Sequence, residues 1–289
     1  MFEFQLGAYE IVHAPSDRAD ISAAVGIGSI GMPNAMIAAL PNLKTIACFA
    51  VGVDGFDLDF LRARGIALTN GANINHEDVA DVALGLLISV ARRFSEGERV
   101  VRAGTWNVPL AVAPQRRLRG LKLGIVGMGA IGQAIAVRAE ACGLEIAWTG
   151  PRAKPDVAHR FEPDLLALAQ WADVLAIAAR GDKSTEGLID AGVIAALGED
   201  GILINVARGS MVDEDALIAA LKTGRLAGTG LDVFAQEPTA PARWEGVPNV
   251  TLTPHLGGGT RDALIAGGAN VLENLRRHFA GEPLLTPVF

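Results

Sequence analysis

Three ionisable residues each close or follow a strongly apolar run. Arg208 ends Leu203-Ile204-Asn205-Val206-Ala207-Arg208, Glu237 follows Gly230-Leu231-Asp232-Val233-Phe234-Ala235-Gln236, and His255 follows Thr251-Leu252-Thr253-Pro254. If these runs are strands of an open α/β sheet, the three side chains arrive at its carboxyl edge, where ligands bind. A guanidinium there can fork onto a carboxylate. A carboxylate beside a histidine favours the charged imidazole, which can donate to a carbonyl oxygen undergoing reduction. Taken singly, each has a plainer reading: Arg208 as a salt-bridge partner, His255 as a loop histidine, Glu237 as a turn carboxylate before Pro238.

A second pattern lies upstream. Gly127-Met128-Gly129-Ala130-Ile131-Gly132 follows the apolar run 121–126 and opens an Ala-rich stretch, the strand-turn-helix context in which GxGxxG binds a dinucleotide. Gly127 allows the tight turn, Gly129 lets a pyrophosphate approach the backbone, and Gly132 lets helix and strand pack closely. The helix N-terminus offers N–H groups to anionic oxygens. About 20 residues on, an NAD-binding unit places Asp or Glu against the ribose hydroxyls. Here the chain reads Thr149-Gly150-Pro151-Arg152-Ala153-Lys154. Arg152, Lys154 and the Thr149 hydroxyl suit a 2′-phosphate, which a carboxylate would repel, so NADPH is expected in preference to NADH. The alternative is that Arg152 and Lys154 only solubilise an exposed loop.

These residues need a scaffold. Short apolar runs alternate with Ala/Leu-rich helical stretches and no repeat of solenoid length occurs, which predicts an α/β fold with parallel sheets. Strands are expected at 121–126, 144–149, 173–178, 201–206, 226–233 and 249–253, and in a smaller leading lobe at 9–13, 46–49 and 66–69. Residues 79–102 read as one long helix, and 104–120, with Pro109 and Pro114, as the best linker candidate. A helix near 263–279 is expected to return to the first lobe, giving domains 1–76 plus 261–289 and 77–260.

The 289 residues are half hydrophobic, enough for a sizeable core, and the formal net charge of −7 argues against a nucleic-acid surface. Arg116, Arg117 and Arg119 read as a solvated loop. Cys48 and Cys142 lack metal-ligand spacing, so no metal is expected and free thiols in a reducing compartment are the default. No apolar run approaches the ~20 residues of a membrane helix, and Met1-Phe2-Glu3-Phe4 lacks the basic start of a secretory leader, so a cytoplasmic location is expected.

With these residues assembled, the chain resembles the D-isomer-specific 2-hydroxyacid dehydrogenases, and among them the NADPH-using glyoxylate/hydroxypyruvate and hydroxyphenylpyruvate reductases. The resemblance spans nearly the whole chain. It rests on Phe49-Ala50-Val51-Gly52-Val53-Asp54, the stretch 78–87, the glycine turn, residues 205–209 with Val212-Asp213-Glu214, residues 231–238, residues 253–258, and Pro283-Leu284-Leu285-Thr286-Pro287. It implies two doubly wound parallel-sheet domains, a Rossmann cofactor domain and a smaller, discontinuous flavodoxin-like substrate domain. It further implies that Arg208 binds and polarises a small 2-oxo acid such as glyoxylate or hydroxypyruvate. His255 would be the proton donor, Glu237 would hold and charge the imidazole, and the amides of Val51 and Gly52 would hold the substrate carboxylate. Cofactor contacts would fall to Gly127, Met128, Gly129, Ala130, Ile131 and Gly132, to Thr149, Arg152, Lys154, Thr185, Val206 and Ala207, and to Asp232 at the carboxamide. His255 and Gly257 would lie at the nicotinamide ring. The helix 79–102 would build a homodimer.

Three departures from the family stand out. The first βα unit is expected to be shortened or absent. Ala179-Arg180-Gly181-Asp182-Lys183-Ser184-Thr185 retains only Thr185 of the usual Pro-Leu-Thr stretch, leaving Arg180 as an added phosphate contact or mere surface. Asn70-Gly71-Ala72-Asn73 replaces the usual Thr-Pro pair. Trp106 and Trp244 read as packing pieces. The rival readings are a dinucleotide-sensing, corepressor-like binding protein and another enzyme of the family acting on a different acid, such as a phosphoglycerate or formate dehydrogenase.

Overall fold

Two parallel sheets organise the chain. The computed structural model describes residues 9–13, 18–28, 30–106 and 111–289. They fall into two compact units, one holding the chain up to residue 75 together with 260–289, the other 76–259.

In the first unit β1 (Ala23–Gly26), α1 (Asn34–Ala38), β2 (Thr45–Cys48), α2 (Leu58–Ala63) and β3 (Ala67–Thr69) alternate, and the strands lie in the order β1-β2-β3. Parallel sheets need cover on both faces. The central strand β2 is buried throughout. Ile37, Leu43, Leu61 and Leu68 pack with Ile46 in one cluster, while Ala47 meets Val271 and Leu275 of the closing helix Arg261–Ala280 in another. That helix ends in a left-handed Gly281. Asn274, fully buried on it, accepts the Leu285 N–H at 2.9 Å and donates to Thr286 Oγ1 at 3.2 Å, which fastens the C-terminal run to the unit.

The expected strand at 9–13 does not form. Tyr9 instead stacks on Phe279 with ring centroids 5.2 Å apart, and the first strand among the described residues lies at Ala23–Gly26. Aromatic and β-branched residues favoured the earlier segment, whereas Ala-Ala-Val-Gly carries little apolar signal and leaves Val25 exposed on an edge strand.

The second unit opens with α3 (His76–Ala91) and α4 (Phe94–Arg102). There follow β4 (Lys122–Val126), α5 (Ala130–Ala141), β5 (Glu145–Thr149), β6 (Arg160–Phe161), α6 (Leu165–Trp171), β7 (Val174–Ile177), α7 (Ala191–Leu197), β8 (Ile202–Asn205), α8 (Glu214–Lys222), β9 (Gly228–Leu231), α9 (Pro241–Trp244) and β10 (Val250–Leu252). The closing helix of the first unit is α10. Seven parallel strands run β10-β9-β8-β7-β4-β5-β6, so the order reverses between β4 and β7, the switch point at which such sheets open a crevice. Leu86, Val90 and Ile135 from α3 and α5 cover one face, and Leu168, Ile194 and Leu217 from α6, α7 and α8 cover the other.

The single helix expected over 79–102 is two helices. Arg93 takes a left-handed φ of 52° and its N–H turns back to the Val90 carbonyl, ending α3. The apolar spacing fails at the same place: α3 buries seven residues, α4 only Val100. The expected linker 104–120 lies within the second unit, and residues 107–110 with Pro109 fall outside the described residues. Arg116 is not simply solvated. Its guanidinium pairs with Asp173 at 2.9 Å, and the other Asp173 oxygen accepts the Lys122 N–H, so the starts of β4 and β7 are tied together.

In the first unit His278 of α10 shares hydrogens with Thr45 Oγ1 at 2.9 Å and Ser22 Oγ at 3.2 Å. Burial holds its imidazole below the usual histidine range. The folded state thus favours the neutral ring, and the unfolded chain binds the extra proton. The contribution to stability is complete above about pH 6.5 and is lost as pH falls through the lowered folded value. We expect His278→Gln to flatten that limb of urea midpoint against pH, and an unaltered slope would refute the assignment.

Candidate active site

Parallel strands place all their carboxyl ends on one edge of the second sheet, and that edge collects the residues of interest. At the end of β4, Gly127 takes a φ of 94°, and a Cβ there would stand 2.5 Å from the Ala179 Cα. A Cβ on Gly132 would stand 2.1 Å from the Gly127 carbonyl oxygen, so helix and turn touch through backbone. Around Gly129 the space is open to beyond 4 Å. Gly129 caps α5 without a side-chain hydrogen bond, so the first N–H groups of the helix face that space uncapped. A pyrophosphate fits such a cradle.

The end of β5 lies beside the turn, with the Thr149 carbonyl accepting the Gly127 N–H at 2.9 Å. Arg152 is exposed beyond it, and no carboxylate follows the strand before Asp156. Lys154 is placed differently from a free surface lysine: its Nζ donates to the Met128 carbonyl at 2.7 Å, binding the β5 loop to the glycine turn. The loop 179–185 is braced internally. Asp182 accepts from the Ser184 N–H and hydroxyl at 2.8 and 2.6 Å, and the Thr185 hydroxyl accepts the Asp182 N–H at 2.9 Å and lies within donating distance of the Asp182 and Arg180 carbonyls. Thr185 therefore serves its own loop, and the Ser184 hydrogen bonds hold the Asp182 carboxyl below its ordinary value.

At the end of β8, Asn205 is fully buried. Its Oδ1 accepts the Ala207 N–H at 3.0 Å and its Nδ2 donates to the Arg208 carbonyl at 2.9 Å, fixing the backbone that carries Arg208. Val206 and Ala207 are buried beside it. The Arg208 stem crosses Gly181, where a Cβ would come within 2.4 Å of Arg208 Cγ. Gly209 rests on the loop after β9, since a Cβ there would fall 1.8 Å from the Phe234 carbonyl carbon.

That loop carries Asp232 and Glu237. Asp232, 1% exposed, accepts from the Thr253 hydroxyl at 2.6 Å and from the N–H groups of Leu256 and Gly257 at 2.7 and 2.8 Å. It therefore ties the β9 end to the β10 end. A Cβ on Gly257 would be tightly placed, with Asp232 Oδ2 at 3.0 Å and Val79 Cγ2 at 3.2 Å. His255 adopts a left-handed φ of 53° and donates its N–H to the Asp232 carbonyl at 2.9 Å. Its Nδ1 lies 2.7 Å from Glu237 Oε2, and the other Glu237 oxygen accepts the Phe234 N–H at 3.0 Å. The imidazole remains 44% exposed, so its Nε2 edge is open to a ligand. Arg208, Glu237 and His255 thus stand on three adjacent strand ends, β8, β9 and β10.

Val51 and Gly52 belong to the first unit, in the loop after β2. The Val51 carbonyl accepts from Asn70 Nδ2 at 2.8 Å, and a Cβ on Gly28 would stand 1.7 Å from the Gly52 carbonyl oxygen. No described residue accepts from the N–H of either. Trp244 is a packing piece, meeting Phe234 edge-on at 5.9 Å, and Trp106 is exposed. Among the described residues no cluster of His, Cys, Asp and Glu could hold a metal, and no helix is long and apolar enough to cross a membrane. The anchoring roles of Asn205 and Gly209 were not read from the sequence.

An uncapped glycine turn at the switch point and an acid-base pair at the same sheet edge define a dinucleotide-dependent oxidoreductase core. Comparison with known proteins agrees. Residues 84–257 match the family model described as the NAD binding domain of D-isomer specific 2-hydroxyacid dehydrogenases. The chain is 43% identical over 271 residues to a glyoxylate/hydroxypyruvate reductase of Arabidopsis thaliana, covering 94% of this chain and 86% of that one. It is likewise 43% identical over 262 residues to the 2-ketogluconate reductase of Gluconobacter oxydans, covering 90% and 84%. Among solved structures it resembles the NADPH-dependent glyoxylate/hydroxypyruvate reductase of Sinorhizobium meliloti in complex with NADP and malonate, at a TM-score of 0.88 and 39% identity over 96% of this chain and 86% of that one. The chain belongs to the D-isomer-specific 2-hydroxyacid dehydrogenase family. It is an oxidoreductase acting on the CH–OH group of 2-hydroxy acids.

Replacing Asn205 by Leu would leave the Ala207 N–H without its partner and strip the Arg208 carbonyl of one of its two donors, the other being the Met211 N–H at 3.3 Å. At ~1–3 kcal/mol for a buried group left unsatisfied, urea unfolding should show a loss of roughly 1 kcal/mol or more. A loss below about 0.5 kcal/mol, the range of ordinary surface substitutions, would show that the side chain does not hold this turn.

Proposed function

We propose that this enzyme reduces a small 2-oxo acid, such as glyoxylate or hydroxypyruvate, to the D-2-hydroxy acid with a preference for NADPH, through Arg208, His255 and Glu237. The observation that carries the reading is the 2.7 Å contact between His255 Nδ1 and Glu237 Oε2. With Nδ1 engaged by a carboxylate, Nε2 is the atom from which the charged ring gives up a proton. NADPH, when bound, supplies the hydride that reduces C2. Arg208 then holds the acid and draws charge toward the carbonyl oxygen, His255 Nε2 delivers the proton that completes the hydroxyl, and Glu237 stabilises the imidazolium before transfer. The N–H groups of Val51 and Gly52 are the proposed donors to the substrate carboxylate.

The cofactor preference is supported by the absence of a carboxylate at the β5 end, by the exposed Arg152 beyond it, and by the NADP-bound relative. Gly127 through Gly132 are the proposed pyrophosphate cradle, with Thr149, Arg152, Lys154, Thr185, Val206, Ala207, Asp232, His255 and Gly257 as the wider contact set. On this reading the second unit is the cofactor domain and the first the substrate domain. The relatives named above are reductases, which fits an enzyme and not a dinucleotide sensor. We further propose a cytoplasmic homodimer. Phe94 and Val101, exposed on α4, support the dimer.

Two outcomes are expected. His255→Gln should lower the turnover of hydroxypyruvate with NADPH by ~10² to 10⁴ while leaving the Kd for NADPH unchanged, and undiminished turnover would remove the histidine from the mechanism. The two cations should separate in cofactor titrations followed by protein fluorescence. Arg152→Ala should weaken NADPH about tenfold and spare NADH, as the loss of one charge-assisted contact requires. Lys154→Met should weaken both alike, because its partner is the turn. Equal effects of Arg152→Ala on the two cofactors would defeat the assignment of the 2′-phosphate.

A further inference from the structure

Glu214 is buried where a surface residue would be expected. It is the first residue of α8, a helix already capped by Asp213, whose side chain accepts the Ala216 N–H at 3.0 Å. The neighbouring Asp215 side chain is 86% exposed, whereas that of Glu214 is 5% exposed. Both of its oxygens are committed. Oε1 accepts the Ala235 N–H at 2.5 Å, and Oε2 accepts from Arg243 Nε at 2.7 Å. Arg243 sits on α9, whose Trp244 packs on Phe234 and donates to Thr239 Oγ1 at 3.0 Å, so the segment from β9 to α9 closes around this carboxylate.

The two peptide units that flank Phe234 are therefore held from three sides. Glu214 takes the Ala235 N–H, Glu237 takes the Phe234 N–H, and Gly209 supports the second unit from below with no space for a side chain. The same loop delivers Glu237 to His255, and the only other carboxylate against the His255 segment among the described residues, Asp232, is occupied by Thr253, Leu256 and Gly257. From this arrangement we infer that Glu214 is a positioning residue for proton transfer: through the Ala235 amide it fixes the distance between Glu237 and His255 without touching either. Arg243 Nε occupies the other oxygen of the same carboxylate. The inference rests on the reading of Glu237 and His255 as the acid pair.

The test is the pH dependence of kcat/KM for hydroxypyruvate reduction with NADPH, in the full chain. Glu237→Gln is the reference and should move the alkaline limb to lower pH by about one unit, as loss of a neighbouring opposite charge requires. If it does not, the acid-pair reading fails whatever Glu214 does. Given that shift, Glu214→Ala should move the limb in the same direction with kcat reduced at least fivefold, and Glu214→Gln, which keeps an acceptor for the Ala235 N–H, should return the limb to within about 0.3 units of the natural enzyme. A Glu214→Ala enzyme that is only less heat-stable, with the limb unmoved, overturns the inference. Where Glu214→Ala does not fold, Glu214→Met, which fills the space but cannot accept the Ala235 N–H, decides: a limb displaced to lower pH supports the inference, and an unmoved limb overturns it.

Discussion

All seven strands of the larger sheet point the same way, and the remainder of the second unit follows from that constraint. Parallel direction puts every strand's carboxyl end on one edge, so residues far apart in sequence, from Gly127 to His255, must converge there. The same constraint explains the composition. Strands β7, β8 and β9 are buried along their whole length, and helices on both faces provide the cover.

Convergence alone would leave the loops loose. What holds them is a set of buried polar groups, each of which binds the backbone of a loop. Asp232 joins the ends of β9 and β10, Asn205 stiffens the end of β8, and Glu214 secures the segment that follows β9. A carboxylate without partners in such places would be strongly destabilising. Each is instead met by N–H or O–H donors, and such satisfied networks specify one geometry where apolar packing would tolerate several. Lys154 performs the corresponding service at the glycine turn by binding a carbonyl.

Much of this was legible in the sequence because the signals were local. Gly127, Gly129 and Gly132 announced their turn through spacing, and β4, β5, β7 and β8 announced themselves as unbroken apolar runs. Arg208, Glu237 and His255 were legible because each stands directly beyond such a run. Other features had no local signal. β1 is Ala-Ala-Val-Gly on an edge, and β6 is two residues long with little burial. The break at Arg93 involves neither Gly nor Pro, and it becomes intelligible only when the burial of α3 is set beside that of α4. Glu214 entered the sequence reading only as part of Val212-Asp213-Glu214, with no sign of its burial, which comes from Ala235 and Arg243, distant in sequence. Asn205 was hidden in the same way within an apolar run. A polar residue embedded in such a run is the one cue that could have singled it out.

The return of α10 to the first unit bears on how the polypeptide matures during translation. Residues 76–259 emerge as a continuous stretch and can fold as soon as β10 clears the ribosome, while Ala47 still lacks Val271 and Leu275, and Asn70 still lacks Thr286. Synthesis from the N-terminus therefore completes the second unit before the first. The nascent β2 waits with one apolar face uncovered until α10 arrives.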